Sequence, residues 1–489
     1  MNPHLRHTLI AVAAGVAAIW LGYQIAEGSH FWPMVFFTLA LGGILTRVLR
    51  VPFDVILTGL VLFGYLVGNR GFAQLMPAPG LPLLPAETVL LVAGTWRGIV
   101  WAHSRQLPFA RDNLNHFLMA WLVVGGGRFA LDLPRHGFLA VRDFAMVYYA
   151  VLFFLVQHMA REPRARRWLL GCLLAGVALL PFTYGASELF PRLFLTVLTF
   201  NEVPLIYFKG DLAFTFFGVA SLLWFFVVRG SWRGLAVTMS AALVLWILAS
   251  DNRASLLGVT CAATLLLLAG RGRYPLTLGV ASGVAALALL GMAALGNNAW
   301  AHGKLRSTAD RISSITDFAG QGSYMSGESY YKGDNNRFRA TWWKNVILET
   351  WDSNPVLGLG FGHDLAGGFL QEYYPDGTAE DFAARSPHNI FITVFGRMGL
   401  LGLAVWAGFC WILLRRTWHS LRTSMVESEW AIWCGLWVVL VSATFGVVLE
   451  GPMGAVPFWV MLGLAAARDT EDAETSKAAL PQGDETASA

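Results

Sequence analysis

Apolar runs of roughly 17–25 residues recur along most of the chain, and each is long enough to cross a hydrocarbon core as a helix. Polar breaks between them predict spans at 8–26, 31–47, 51–68, 84–102, 114–131, 138–158, 167–187, 210–228, 233–250, 254–270, 274–296, 388–414, 430–449 and 454–467. The fold class is therefore all-α and polytopic, with about fourteen transmembrane helices. Residues 188–209 are apolar but interrupted by Pro191, Asn201, Glu202 and Pro204, and read as an interfacial or re-entrant segment, with one more span as the alternative. A soluble core cannot hide so many apolar runs at once.

Composition agrees. Of 489 residues, 56% are hydrophobic and 13% charged, against about 25% charged in a soluble domain. Arg6 before the first run resembles a signal peptide, but the many following spans favour an uncleaved first helix. The cysteines Cys172, Cys261, Cys410 and Cys434 all lie in apolar runs, with neither disulfide nor metal spacing.

The net charge of +4 matters less than its placement. Arginines cluster at 47 and 50, 105 and 111, 161 to 167, 229 and 233, 271 and 273, and 415 to 422. These loops alternate with loops that carry fewer cations, which puts both termini inside and an even number of spans between them. Four regions result: N-terminal helices over 1–296, an outer loop over 297–387, C-terminal helices over 388–467 and an acidic tail over 468–489. The tail is expected to be disordered. An outer loop of about ninety residues is longer than an idle connection, and long ordered loops are usually functional.

Within that loop, Trp342, Val346, Ile347 and Trp351 fall at helical spacing and predict an amphipathic helix on the outer membrane surface, ended by Pro355. Gly358, Gly360 and Gly362 then form a flexible turn. His388 follows Ser386 and Pro387 at the start of a span. On a continuous helix, Gly399 and Gly402 lie about 20° and about 40° from it in projection, so all three share a face. Glycines let a neighbouring helix approach, so His388 is expected to face the bundle, where a near-neutral pKa suits a general base.

Several cations lie on the outer side, against the general bias: Arg128, Arg135, Arg142, Lys209 and Arg253. Anionic substrate groups would explain them, with arginine offering a planar fork and lysine a point charge. An ordinary ion pair with Asp251 is the competing explanation for Arg253. Asp211 and Glu450 are outer carboxylates beside these positions. Arg397 lies deeper, and reads as a structural pair. No metal motif, Walker loop or serine or cysteine nucleophile motif is present.

The motif His388-Asn389, nine residues, Gly399, two residues, Gly402 resembles the O-antigen ligase and polymerase superfamily. So do Arg337 or Arg339, the pair Trp342-Trp343, Pro355 with "LGLGFG", and "SDNRASLLG" around Arg253. The resemblance covers about 200–470. It implies a fold like GT-C-type glycosyltransferases and a metal-independent inverting glycosyltransferase without cofactor. The enzyme would sit in the bacterial inner membrane with its site facing the periplasm. The implied donor is a glycan on undecaprenyl pyrophosphate; the acceptor is lipid A-core or another lipid-linked glycan. Membrane lipids and polysaccharide assembly proteins are the other expected partners, and nucleic acid is not one. His388 would be the base and Arg253 would hold pyrophosphate, with Lys209, Asp211, Arg142, Arg337 and Asn389 binding substrate. Lys209 stands where many members have arginine, and Arg397 replaces a commonly acidic stretch. The rival class is a lipid-linked oligosaccharide flippase, which would place its polar residues near the midplane.

Overall fold

The structure is a computed structural model that describes residues 31–76, 83–104, 109–250, 252–296, 298–317, 328–373, 385–424 and 426–478, with a few positions between 15 and 26 and Gly322. Its helices are α1 (Phe31–Leu49), α2 (Phe53–Ala73), α3 (Pro85–Ser104), α4 (Asn113–His136), α5 (Phe138–Tyr148), α6 (Val151–Met159), α7 (Pro163–Leu189), α8 (Gly210–Val227), α9 (Arg233–Ala249), α10 (Arg253–Leu268), α11 (Arg273–Leu295), α12 (Ala299–Thr316), α13 (Glu328–Ser353), α14 (Gly367–Tyr373), α15 (Ile390–Thr423), α16 (Glu427–Ala443) and α17 (Pro452–Ala478). A helix falls on every expected span from 31–47 onward; most of 8–26 lies outside the described residues. Among the described residues, 7 helices are long and apolar enough to cross a membrane, or up to 8 if the bent pair α5–α6 is one span. The chain is thus all-α and multi-pass, with a smaller number of spans meeting that test than the fourteen expected.

Helix starts follow local chemistry. Asp112, Asn252, Asn298 and Asn389 each turn a side-chain oxygen onto a backbone N–H of the first turn, satisfying donors that have no partner within the helix. The apolar faces then pack: α2 on α7, α8 on α9 and α16, α10 on α16, α4 on α15, and α6 on α17. Fully buried Phe217, Trp433 and Trp459 lie in this core.

The segment expected as the outer loop, 297–387, is helical over α12, α13 and α14. Trp342 and Val346 are buried with Leu365, Ala366 and Phe369 in a small separate core, whereas Ile347 and Trp351 are exposed. The expected four-residue apolar face therefore divides: half of it packs inside the loop. Residues 188–209 do not form another helix of spanning length. They make a π-helical turn (Leu193–Val197) and a two-residue hairpin pairing Thr199 with Pro204 and Phe200 with Val203. Of the tail expected over 468–489, the described part to Ala478 continues α17; residues 479–489 lie outside the described residues.

The largest correction concerns α15. His388 precedes the helix, which starts at Ile390, and Gly399 breaks it with φ 62° and ψ −159°. The projection that put His388, Gly399 and Gly402 on one face assumed unbroken helix. The cause of the break is the outer loop. Pro355 O and Val356 O accept the N–H groups of Leu400 and Leu401 at 2.8 and 3.2 Å, and Leu359 N–H donates to Gly396 O at 2.7 Å. A Cβ on Gly399 would lie 2.3 Å from Val356 O. Gly399→Ala is thus expected to expel the 355–360 loop or collapse the fold, lowering the thermal unfolding temperature in detergent by several degrees or more. An unchanged melting curve would contradict this account of the break.

Candidate functional site

His388 sits between Pro387 and the cap residue Asn389 with φ 55°, a left-handed conformation rare for a side-chain-bearing residue and costing about 1–3 kcal/mol. Neighbours hold it there. Trp343 Nε1 donates to Pro387 O at 2.7 Å, and the Trp342 ring lies 5.8 Å from the imidazole at 44°. Asn389 Oδ1 accepts from Phe391 and Ile392 N–H at 3.0 and 3.3 Å. The role of Asn389 in the structure is therefore to cap α15; it does not line the cavity described next.

His388 lines a cavity of about 640 Å³, within the usual range for small-molecule sites. Arg70, Arg142, Lys209, Arg385 and Arg397 line it too, against the two carboxylates Asp143 and Glu450. The balance favours an anion. A second cavity of about 130 Å³ is lined by Asp211, Asn252, Arg253 and Arg339 among others. Arg253 Nη1 also donates to Ser314 Oγ and O at 3.0 and 3.3 Å, tying the start of α10 to α12. Asn252 Nδ2 donates to Asp211 O at 3.2 Å, which brings the starts of α8 and α10 together. Helix starts carry partial positive charge, so both cavities add backbone dipoles to their cations.

Electrostatics link the two cavities through His388. Burial first, then Arg339 and Lys209, push its pKa down to about 4, with Asp211 opposing them. The imidazole is neutral at pH 7 and able to accept a proton. Burial also lowers the pKa of Arg339, with Arg253 as the next cause. Burial raises that of Glu450, against the hydrogen bonds from Ser386 and Thr393. Ser386 Oγ and Thr393 Oγ1 donate to Glu450 Oε1 at 2.6 and 3.1 Å, which clamps the chain on both sides of His388.

Sequence reasoning groups His388 and Arg253 with Lys209, Asp211, Arg142, Arg337 and Asn389; of these the large cavity contains His388, Lys209 and Arg142. Arg253 and Asp211 share the smaller cavity. Arg337 is exposed and lines neither; Arg339, two residues on, does. On a helix, positions two apart face different directions, so only the packing of α13 separates them. Asp251 lies outside the described residues. Glu450 and Arg70 were not among the expected substrate-binding residues. Glu450 had a signal, an acidic residue between two spans; Arg70 had one in its place just past the end of the span expected over 51–68.

Arg397 is explained as a latch. Its Nη2 lies 2.8 Å from Asp143 Oδ2, and Nη1 donates to Gly360 O at 3.0 Å and to His363 O. Asp143 Oδ2 also accepts Gly362 N–H at 3.0 Å, and Asp132 Oδ2 accepts Phe361 N–H at 2.7 Å. The Gly358–Gly362 stretch, with positive φ at all three glycines, is thus pinned to α4, α5 and α15. Removing one partner of a buried pair costs about 3–5 kcal/mol. Asp143→Ala is therefore expected to loosen residues 354–366. Limited proteolysis and a thermal melt would detect this, and parental resistance in both would refute the latch.

Among the described residues, no group of three or more His, Cys, Asp or Glu side chains is arranged to hold a metal. Residues 239–407 match the family model described as O-antigen ligase. The resemblance to the O-antigen ligase and polymerase superfamily is shown over this segment, which contains Arg253, Arg339, His388, Gly399 and Gly402. No curated protein matches the chain. The apolar helices indicate a multi-pass membrane protein, and the match gives it a segment similar to O-antigen ligases.

Proposed function

We propose, from the premise of an O-antigen ligase segment at 239–407, that this protein is an inverting glycosyltransferase of the bacterial inner membrane. Its site would face the periplasm, its donor would be a glycan on undecaprenyl pyrophosphate, and its acceptor a sugar hydroxyl. The observation that carries the reading is His388, held neutral in a strained turn on a cavity where five cations outnumber two carboxylates.

In this reading the imidazole takes the proton of the acceptor hydroxyl as its oxygen attacks the anomeric carbon. The bond from that carbon to the diphosphate oxygen breaks, and its electron pair leaves on the diphosphate. Cations prepositioned around the leaving group stabilise the charge that develops there, usually the largest single electrostatic contribution. With its pKa pushed down to about 4, His388 on its own is a weak base. A bound diphosphate would offset Arg339 and Lys209, raise the imidazole pKa and strengthen the base when it is needed.

A direct test incubates purified protein with lipid-linked glycan donor and a saccharide acceptor. Transfer with one lipid diphosphate released per bond supports the reading. Movement of intact donor across a vesicle membrane without transfer would replace it with a flippase. An acceptor series of lipid A-core against lipid-linked glycan then separates ligation from polymerisation.

A further inference from the structure

A cavity of about 660 Å³ lies apart from the site of His388, where α1, α2 and α3 meet. It sits at the start of α2, whose other end carries Arg70 to the His388 cavity; Asp54 and Arg70 are about 24 Å apart along that helix. Its α3 wall is Leu91, Thr95, Trp96 and Ile99, at spacings that put all four on one helical face. Leu91, Trp96 and Ile99 are exposed, so the cavity opens sideways from the bundle, where a membrane protein meets lipid.

One charged group interrupts the apolar lining. Asp54 is 2% exposed. Its Oδ2 accepts from Arg97 Nε at 2.6 Å, while its buried Oδ1 has no hydrogen-bond partner among the described residues. Thr46 Oγ1, from α1, is buried in the same cavity and also lacks a partner among them. Buried polar atoms without partners are rare and call for a cause. An ionisable side chain within a membrane bundle points to function by default.

The occupant has to meet two demands. A water, about 30 Å³, can donate to Oδ1 but leaves most of the apolar volume unfilled. A hydrocarbon chain fills the volume but leaves Oδ1 unmet. A lipid with an N–H donor in its headgroup does both. Arg47 and Arg50 stand exposed at the turn from α1 to α2, beside the lining residues Thr46 and Pro52. With a lipid phosphate near them and an ammonium at Asp54, charge alternates in sign from Arg97 through Asp54, ammonium and phosphate to the turn. Phosphatidylethanolamine supplies all three parts. Phosphatidylcholine has no N–H to donate, and phosphatidylglycerol would set its phosphate near the carboxylate with no cation of its own between them.

We propose that the cavity between α1, α2 and α3 binds phosphatidylethanolamine, with Asp54 Oδ1 accepting from its primary ammonium and Arg97 orienting the carboxylate. The site is separate from that of His388 and does not depend on the transferase reading.

The test uses the full chain in detergent micelles. Phosphatidylethanolamine, phosphatidylcholine and phosphatidylglycerol with the same acyl chains are titrated in, and bound lipid is counted by native mass spectrometry. The parent should hold phosphatidylethanolamine about tenfold or more tightly than phosphatidylcholine, as expected for a charge-assisted hydrogen bond. Asp54→Asn should remove most of that preference. Because Asp54→Asn also breaks a buried ion pair, Leu91→Trp gives a second reading: it fills the cavity from an exposed position and leaves the pair intact. Leu91→Trp should weaken phosphatidylethanolamine binding about tenfold. Leu276→Trp, at an exposed apolar position of α11 outside the cavity, should bind like the parent. Equal retention of phosphatidylethanolamine and phosphatidylcholine by the parent, or tighter retention of phosphatidylglycerol, would overturn the proposal. So would a preference that survives either Asp54→Asn or Leu91→Trp in folded protein, or one lost equally in Leu276→Trp.

Discussion

Replacing His388 by alanine is expected to abolish glycan transfer while leaving donor binding and the folded bundle in place. The loss should be about 10²–10⁴-fold in kcat, the usual contribution of a positioned general base. The parent should show a distinctive pH response. With burial, Arg339 and Lys209 holding the free imidazole at about 4, kcat/KM should stay level from neutral pH down to that region. The acid limb of kcat should lie higher, because bound diphosphate offsets the two cations. Superimposed limbs would argue against that coupling, and full activity of His388→Ala would eliminate the base role.

The same shift predicts a stability effect. An unfolded histidine titrates near about 6.5, so between that value and about 4 the unfolded chain binds a proton that the folded chain does not. Stability contributed by neutral His388 is therefore full above the upper value and lost as pH falls through this window. A melt of His388→Gln should lose that dependence over the same range.

Arg339 is expected to give the second large effect. Its guanidinium lines the small cavity with Arg253 and is the largest named charge acting on His388. Arg339→Ala should lower kcat by about 10²–10³-fold, comparable to removing one prepositioned donor from a charge-stabilising site. It should also move the acid limb of kcat/KM upward, because a cation that depresses the imidazole has gone. Arg339→Lys keeps the charge and loses the fork, so its limb should stay near the parent's while kcat remains reduced. Arg337→Ala should do far less, since that side chain is exposed and lines neither cavity. Equal losses at Arg337 and Arg339 would show that the loop's general charge matters, and not the cavity.

Much of the architecture was legible in advance because lipid imposes a simple rule: a spanning segment satisfies its backbone internally and presents apolar side chains. Run lengths therefore located α1 to α11 and α15 to α17. The outer loop was legible as a unit, from the polar composition of 297–387. Its helical phase was less so. Half of the Trp342 face turned inward onto Leu365 and Phe369, a contact made by residues over twenty positions away. Arg337 and Arg339 show the same limit: both are cations in one helix, and the partner surface alone distinguishes them.

By itself the sequence determined the membrane class, the helical segments, the motif around His388 and the unusual cations on one side. Each depends on composition or short spacing. Only the tertiary structure decided that α15 breaks at Gly399 and that α2, expected to end at residue 68, runs on past a break at Asn69, because remote backbone enforces both: residues 355–359 for one, 204–207 for the other. It likewise decided that Arg397 latches the glycine loop to Asp143 and that Arg70 joins the cavity of His388. Helical periodicity assumes an unbroken helix, and the site is built where two helices are broken.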